Sequence, residues 1–122
     1  MKRTNIQNCE VSAVIEKQLN IKFENYEFSL QGWGDVDNYA IIRESTYVFL
    51  ECELGQKHPN TNVLKLYPFL EENPEISITL IHFFFKENKT PKNRMRLCNF
   101  IANKMKTEFG SRFNYKMIIQ ND

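Results

Sequence analysis

The sequence predicts an α/β (α+β) domain with a central mixed β-sheet flanked by helices, in the order αβββαβαβ. Three observations predict it. The spacing of apolar residues switches along the chain between the helical period of 3.6 and the strand period of two. Two well-separated segments carry an amphipathic helical stripe. A third, residues 76–85, is apolar almost throughout, which fits a strand covered on both faces. At 122 residues, 42% hydrophobic and 25% charged, the chain suits one domain over 1–122 with a single core.

The elements follow in order. Residues 6–20 carry Val11, Val14, Ile15 and Leu19 at helical spacing, with Asn5 or Asn8 as N-cap. Residues 22–30 alternate as a strand: Phe23, Tyr26, Phe28 and Leu30 are apolar, with one phase slip at Asn25. Gly32-Trp33-Gly34-Asp35 reads as a turn in which glycine supplies positive φ. Residues 38–43 and 46–54 form two strands of a hairpin, joined near Arg43-Glu44-Ser45. A polar loop over 56–60 leads to a helix over 61–73, with Val63, Leu66, Tyr67 and Leu70 on one face and Pro68 as a kink or second start. After the strand at 76–85, Thr90 caps a helix with Pro91 in its first position. Met95, Cys98, Ile101, Ala102, Met105 and Phe109 form its stripe, and Gly110 ends it. A last strand covers about 112–119.

Composition excludes several classes. Three cysteines, Cys9, Cys52 and Cys98, lie far apart with no CxxC, which argues against a zinc module or a disulfide scaffold and for a reducing compartment. The longest apolar run is about half of what a bilayer span needs, and the residues after Met1-Lys2-Arg3 are too polar for a signal peptide. A cytoplasmic location is the expectation. No GxSxG, GxxxxGK[ST] or GxGxxG motif occurs.

Chemistry concentrates at Tyr47-Val48-Phe49-Leu50-Glu51-Cys52-Glu53. Strand alternation puts Glu51 and Glu53 on one face of a strand whose first half is apolar on both faces. A buried, unpaired carboxylate is costly, so this pair calls for a cation, either a Lys or Arg partner or a metal ion. Asp37 starts the neighbouring strand. Hairpin pairing brings it beside the end of the strand that holds Glu51 and Glu53. Three acids with no Cys or His among them would suit Mg²⁺ or Mn²⁺. Asp35 shares the strand parity of Asp37 but reads better as a turn residue.

This pattern resembles the core of the PD-(D/E)XK nuclease superfamily, the restriction-endonuclease-like fold, over residues 8–85. The resemblance makes Asp37 the acid of the first motif and Glu51 the first acid of the second. Glu53 stands where the family usually has lysine. Lys65 on the following helix is placed to take over that lysine's role, and Lys57 is a weaker candidate. Glu16 resembles the helix glutamate that serves as an extra ligand, and Gln56 the glutamine that some branches carry just after the strand. What the resemblance implies is Mg²⁺-dependent (or Mn²⁺-dependent) hydrolysis of DNA phosphodiester bonds. The metal would sit on Asp37 and Glu51, with Glu53 and Glu16 as further ligands. Glu53 or Lys65 would position the attacking water. A homodimer, or a further protein subunit, would serve a two-stranded substrate. The alternative is a catalytically inactive nuclease-fold module that binds nucleic acid or a protein. An unrelated interaction protein with salt-bridged Glu51 and Glu53 is a third reading.

The charge is uneven. Residues 1–85 carry net −5 and residues 86–122 net +6. Lys92, Arg94 and Arg96 crowd the start of a helix, where the macrodipole disfavours cations unless an anion such as a DNA phosphate is bound. Lys104, Lys106, Arg112 and Lys116 would extend that surface, and a plain solvated cationic face is the more common reading of the same residues. His82 reads as a satisfied core histidine. Trp33 reads as packing on the sheet edge rather than stacking on a base.

Overall fold

The computed structural model describes residues 6–54 and 58–120, with side chains from residue 10 onward. Helix α1 (Ile6–Leu19) buries Val11 and Ile15, four apart on one face. The expected stripe is wider than the one used, since Val14 and Leu19 stay exposed.

The segment 22–30 does not join the main sheet. Only Phe28–Ser29 (β1) is strand, paired antiparallel with Asp35–Val36 (β2) in a separate two-stranded ribbon. A strand whose alternation slips, as this one does at Asn25, cannot keep one face on a core. Phe28 instead turns its ring onto Tyr39 and Tyr47, each 5.1 Å away between centroids. Gly34, at φ 112°, adopts the positive φ expected of the turn, and its carbonyl accepts from the Leu30 amide at 2.9 Å.

The main sheet has four strands in the order β3 (Asn38–Arg43), β4 (Thr46–Glu53), β5 (Ser77–Phe84) and β6 (Phe113–Ile119). β3 and β4 form the expected antiparallel hairpin, while β4, β5 and β6 run parallel, so the sheet is mixed. The helix expected over 61–73 is two helices, α2 (Thr61–Leu64) and α3 (Leu66–Glu72), broken at Lys65. The proline ring at position 68 would collide with the carbonyl four residues back, that of Leu64, which is where α2 stops. Helix α4 (Lys92–Phe109) is N-capped by Pro91, one residue later than expected and without a side-chain cap bond. Gly110 ends it as expected.

Strand alternation gives the sheet two apolar faces. Ala40, Val48, Leu50, Ile81 and Phe85 pack with Val11 and Ile15 of α1. Phe49, Ile78, Leu80, Phe84 and Phe113 pack with Leu66, Phe69 and Leu70 of α3 and with Cys98, Ala102 and Met105 of α4. Among the described residues no helix is long and apolar enough to cross a membrane.

Candidate active site

The register of the β3–β4 hairpin pairs Asn38 with Leu50, which leaves Asp37 beside Glu51, as the hairpin argument expects. The Asp37 amide donates to Glu51 Oε1 at 3.3 Å. Lys65 Nζ donates to the same oxygen, also at 3.3 Å. The ammonium has three hydrogens and uses them on Glu51, on the Asp35 carbonyl at 2.6 Å and on Asn62 Oδ1 at 2.9 Å. The break between α2 and α3 sets Lys65 at this point, and its stem packs 3.8 Å from where a Cβ on Gly34 would sit. The turn, the hairpin and the broken helix thus meet at one carboxylate.

Glu51 is 4% exposed. Burial pushes its carboxyl up to about 8. Lys65 and the Asp37 amide pull it down, while the Asp37 carboxylate pushes it further up. Desolvation outweighs the salt bridge, so Lys65 alone does not compensate the charged carboxylate for its loss of water.

Glu53 is fully buried on the same face of β4 but does not join Asp37 and Glu51. Its Oε2 accepts from Asn62 Nδ2 at 2.5 Å and lies 2.7 Å from His82 Nε2. Its Oε1 has no hydrogen-bond partner among the described residues. A carboxylate oxygen only accepts, so His82 Nε2 bears the hydrogen and Nδ1, in a neutral ring, accepts from the Tyr115 hydroxyl 2.7 Å away. Tyr115 is in turn hydrogen-bonded with Cys98, whose thiol burial pushes up to about 12. The expected three-acid cluster is therefore corrected. Among the described residues no three His, Cys, Asp or Glu side chains are gathered to hold a metal by themselves. The β4–β5 register sets His82 opposite Glu51 and within reach of Glu53, and this neighbour takes the second carboxylate.

The other candidates separate. Glu16 accepts from the Phe23 amide at 2.6 Å, holding the chain reversal after α1. Asp35 brings its carbonyl, not its carboxylate, to the site. Gln56 and Lys57 lie outside the described residues. Trp33 donates to Glu72 on α3 at 3.0 Å. Lys92 and Arg96 are exposed and Arg94 half-buried in the first turns of α4. That helix starts just after β5 ends, at the sheet end that carries Glu53. Arg112 does not extend a basic surface, since its guanidinium donates to the carbonyls of Leu70, Asn73 and Ile76. Lys106 is taken by Asn114 at 2.8 Å.

Sequence reasoning passed over Asn62 and Tyr115. A signal for Asn62 existed: it precedes Lys65 by three residues, so a helical turn puts both on one face. His82 is the satisfied core histidine expected, and its partner was inferable, because a buried carboxylate and a buried imidazole on strands facing one core each need a polar neighbour.

No family model matches the chain, and no curated protein matches it in sequence. Among solved structures, a repair endonuclease from Pyrococcus abyssi superimposes with a TM-score of 0.52 at 12% identity, over 99% of this chain and 50% of that one. The chain thus spans about half the length of that protein. At this identity the likeness shows the fold, a restriction-endonuclease-like core with a central mixed sheet flanked by helices.

Proposed function

We propose that the chain is a nuclease domain that hydrolyses DNA phosphodiester bonds with the help of a divalent metal ion, centred on Asp37, Glu51 and Lys65. One observation carries the reading. A lysine ammonium and the backbone amide of a second acidic residue both donate to a buried strand carboxylate at the open end of a hairpin, in a fold shared with a repair endonuclease. Lys65 stands in for the lysine that the family's strand motif would place at position 53.

The donor set fits a hard cation of the Mg²⁺ or Mn²⁺ class. It consists of the Asp37 and Glu51 carboxylates with the Asp35 carbonyl nearby, and the raised pKa of Glu51 marks a carboxylate that a further cation would stabilise. Such ions are commonly held by one or two carboxylates, with water and substrate phosphate completing the shell, so two acids suffice. When bound, the ion would neutralise phosphate charge and acidify a water molecule. Lys65 would orient that water and stabilise charge developing on the phosphate. Glu53, held by His82 and Asn62, would anchor the arrangement rather than ligate. Lys92, Arg94 and Arg96 would bind backbone phosphates at the start of α4. One core would reach one strand, so cutting a duplex would need a second copy or a further subunit.

The second reading, an inactive nuclease-fold module, draws on the capture of Glu53 by His82 and Asn62. Incubating plasmid and single-stranded DNA with Mg²⁺ or Mn²⁺ separates the two. Cleavage should fall at least a hundredfold in Glu51→Ala and in Lys65→Ala, on the order of an electrostatic catalytic group's loss. DNA binding without cleavage by the wild type would select the inactive module.

A further inference from the structure

Asn62 sits between two charged groups of opposite sign and is 8% exposed. Its Nδ2 donates to Glu53 Oε2 at 2.5 Å, and its Oδ1 accepts from Lys65 Nζ at 2.9 Å. Only one amide orientation satisfies both neighbours. A flipped amide would set oxygen against carboxylate and nitrogen against ammonium, losing both bonds. The hydrogen bonds run without a break from Tyr115 through His82, Glu53, Asn62 and Lys65 to Glu51. The far end is rooted in the sheet, where His82 and Glu53 are fully buried on adjacent parallel strands. The near end is a lysine, a flexible stem that costs side-chain entropy to hold in one place.

We infer that Asn62 is a positioning residue that ties the Lys65 ammonium to the buried Glu53–His82–Tyr115 chain and so holds it against Glu51. Its catalytic consequence rests on the nuclease reading above, but the positioning itself does not. The Glu53 found where lysine is usual then has a purpose. It anchors, through Asn62, the lysine supplied by the next helix. Neither Asn62 nor His82 needs to touch substrate for this.

The test is nitrogen-detected NMR of the lysine ammonium groups, with Lys65→Met identifying the Lys65 signal. The wild type should show a resolved, slowly exchanging Lys65 ammonium. In Asn62→Ala that signal should shift and exchange faster, since only the Asp35 carbonyl and Glu51 still hold the ammonium, while the backbone amide spectrum stays folded. Should Asn62→Ala fail to fold, Asn62→Leu fills the same space without either hydrogen bond and is read the same way. A Lys65 signal unchanged in the folded variant, or absent from the wild type, overturns the inference. On DNA with Mg²⁺, kcat should fall about tenfold to a hundredfold with KM little changed, the scale of losing a supporting partner of a metal site. A wild type whose ammonium signal shifts and exchanges faster on substitution, and which cuts no DNA, would uphold the positioning and sink the nuclease reading.

Discussion

Glu51 is stabilised by its partners and destabilised by its position. Its acid ionises near 4.5 in the unfolded chain and near 8 in the folded one, because burial penalises the charged form more than Lys65 rewards it. Between those two values the folded state holds a proton that the unfolded state has lost. Folding stability from this group is therefore full below pH 4.5, falls as pH rises through the window and levels above 8. Glu51→Gln keeps an acceptor for the Asp37 amide and Lys65 but removes the ionisation. It should gain up to ~4 kcal/mol over the wild type at pH 8 and far less at pH 4.5. Thermal melts of both proteins from pH 4 to 9 check this, and parallel curves would refute it. Under the proposed function, a residue that weakens the fold while serving the site is the usual exchange of stability for function.

At the scale of elements, the broken α2–α3 helix and the α4–β6 corner show how local rules set up distant contacts. Pro68 stops one helix at Leu64, and Lys65 lands at the break facing β4. Arg112, in the short turn after α4, donates to three carbonyls: Leu70 and Asn73 at the end of α3 and Ile76 before β5. The carbonyls at a helix end have no partner within the helix, and a guanidinium fork satisfies several at once. Arg112→Ala should therefore cost about 2–4 kcal/mol in denaturant unfolding, since it leaves part-buried carbonyls without charged donors. It should leave DNA affinity unchanged. A stable variant with weakened DNA binding would return Arg112 to the basic surface read from the sequence.

At the scale of the molecule, the acidic first part supplies β3, β4, β5 and the site, and the basic last part adds α4 and the edge strand β6 to the same sheet. α4 packs on the face that carries Glu51 and Glu53, and its basic first turns sit at their end of the sheet. Its first turn carries no acidic side chain that would repel an anion. Replacing both Lys92 and Arg96 by alanine should weaken DNA binding and reduce the slope of log affinity against log salt by about 2, close to one for each phosphate no longer neutralised. The measurement is made without divalent metal, so that the DNA stays whole. An unaltered slope would remove Lys92 and Arg96 from the proposed phosphate-binding surface.

Local chemistry made a good part of this fold legible in the order of residues. Period marked α1 and α4, the hairpin and the covered strand, because side chains must alternate with the backbone that carries them. Hairpin pairing follows from proximity in the chain, so the meeting of Asp37 and Glu51 was legible too, and the family pattern pointed to Lys65. The rest waited on tertiary assembly. Glu51 and Glu53 share a face two residues apart, yet one turns to Lys65 and the other to His82, since the neighbours that choose between them come from other elements. The parallel register of β4, β5 and β6 joins residues dozens of positions apart, and no short-range spacing records it. The strand expected at 22–30 shrank to two residues for a related reason: pairing depends on what a partner strand offers, and β1 pairs with β2 while a backbone bond from the Glu24 amide to the Tyr39 carbonyl ties the segment to β3. Buried polar groups find partners wherever the fold brings them, so the chain of bonds behind the site exists only once the sheet is assembled.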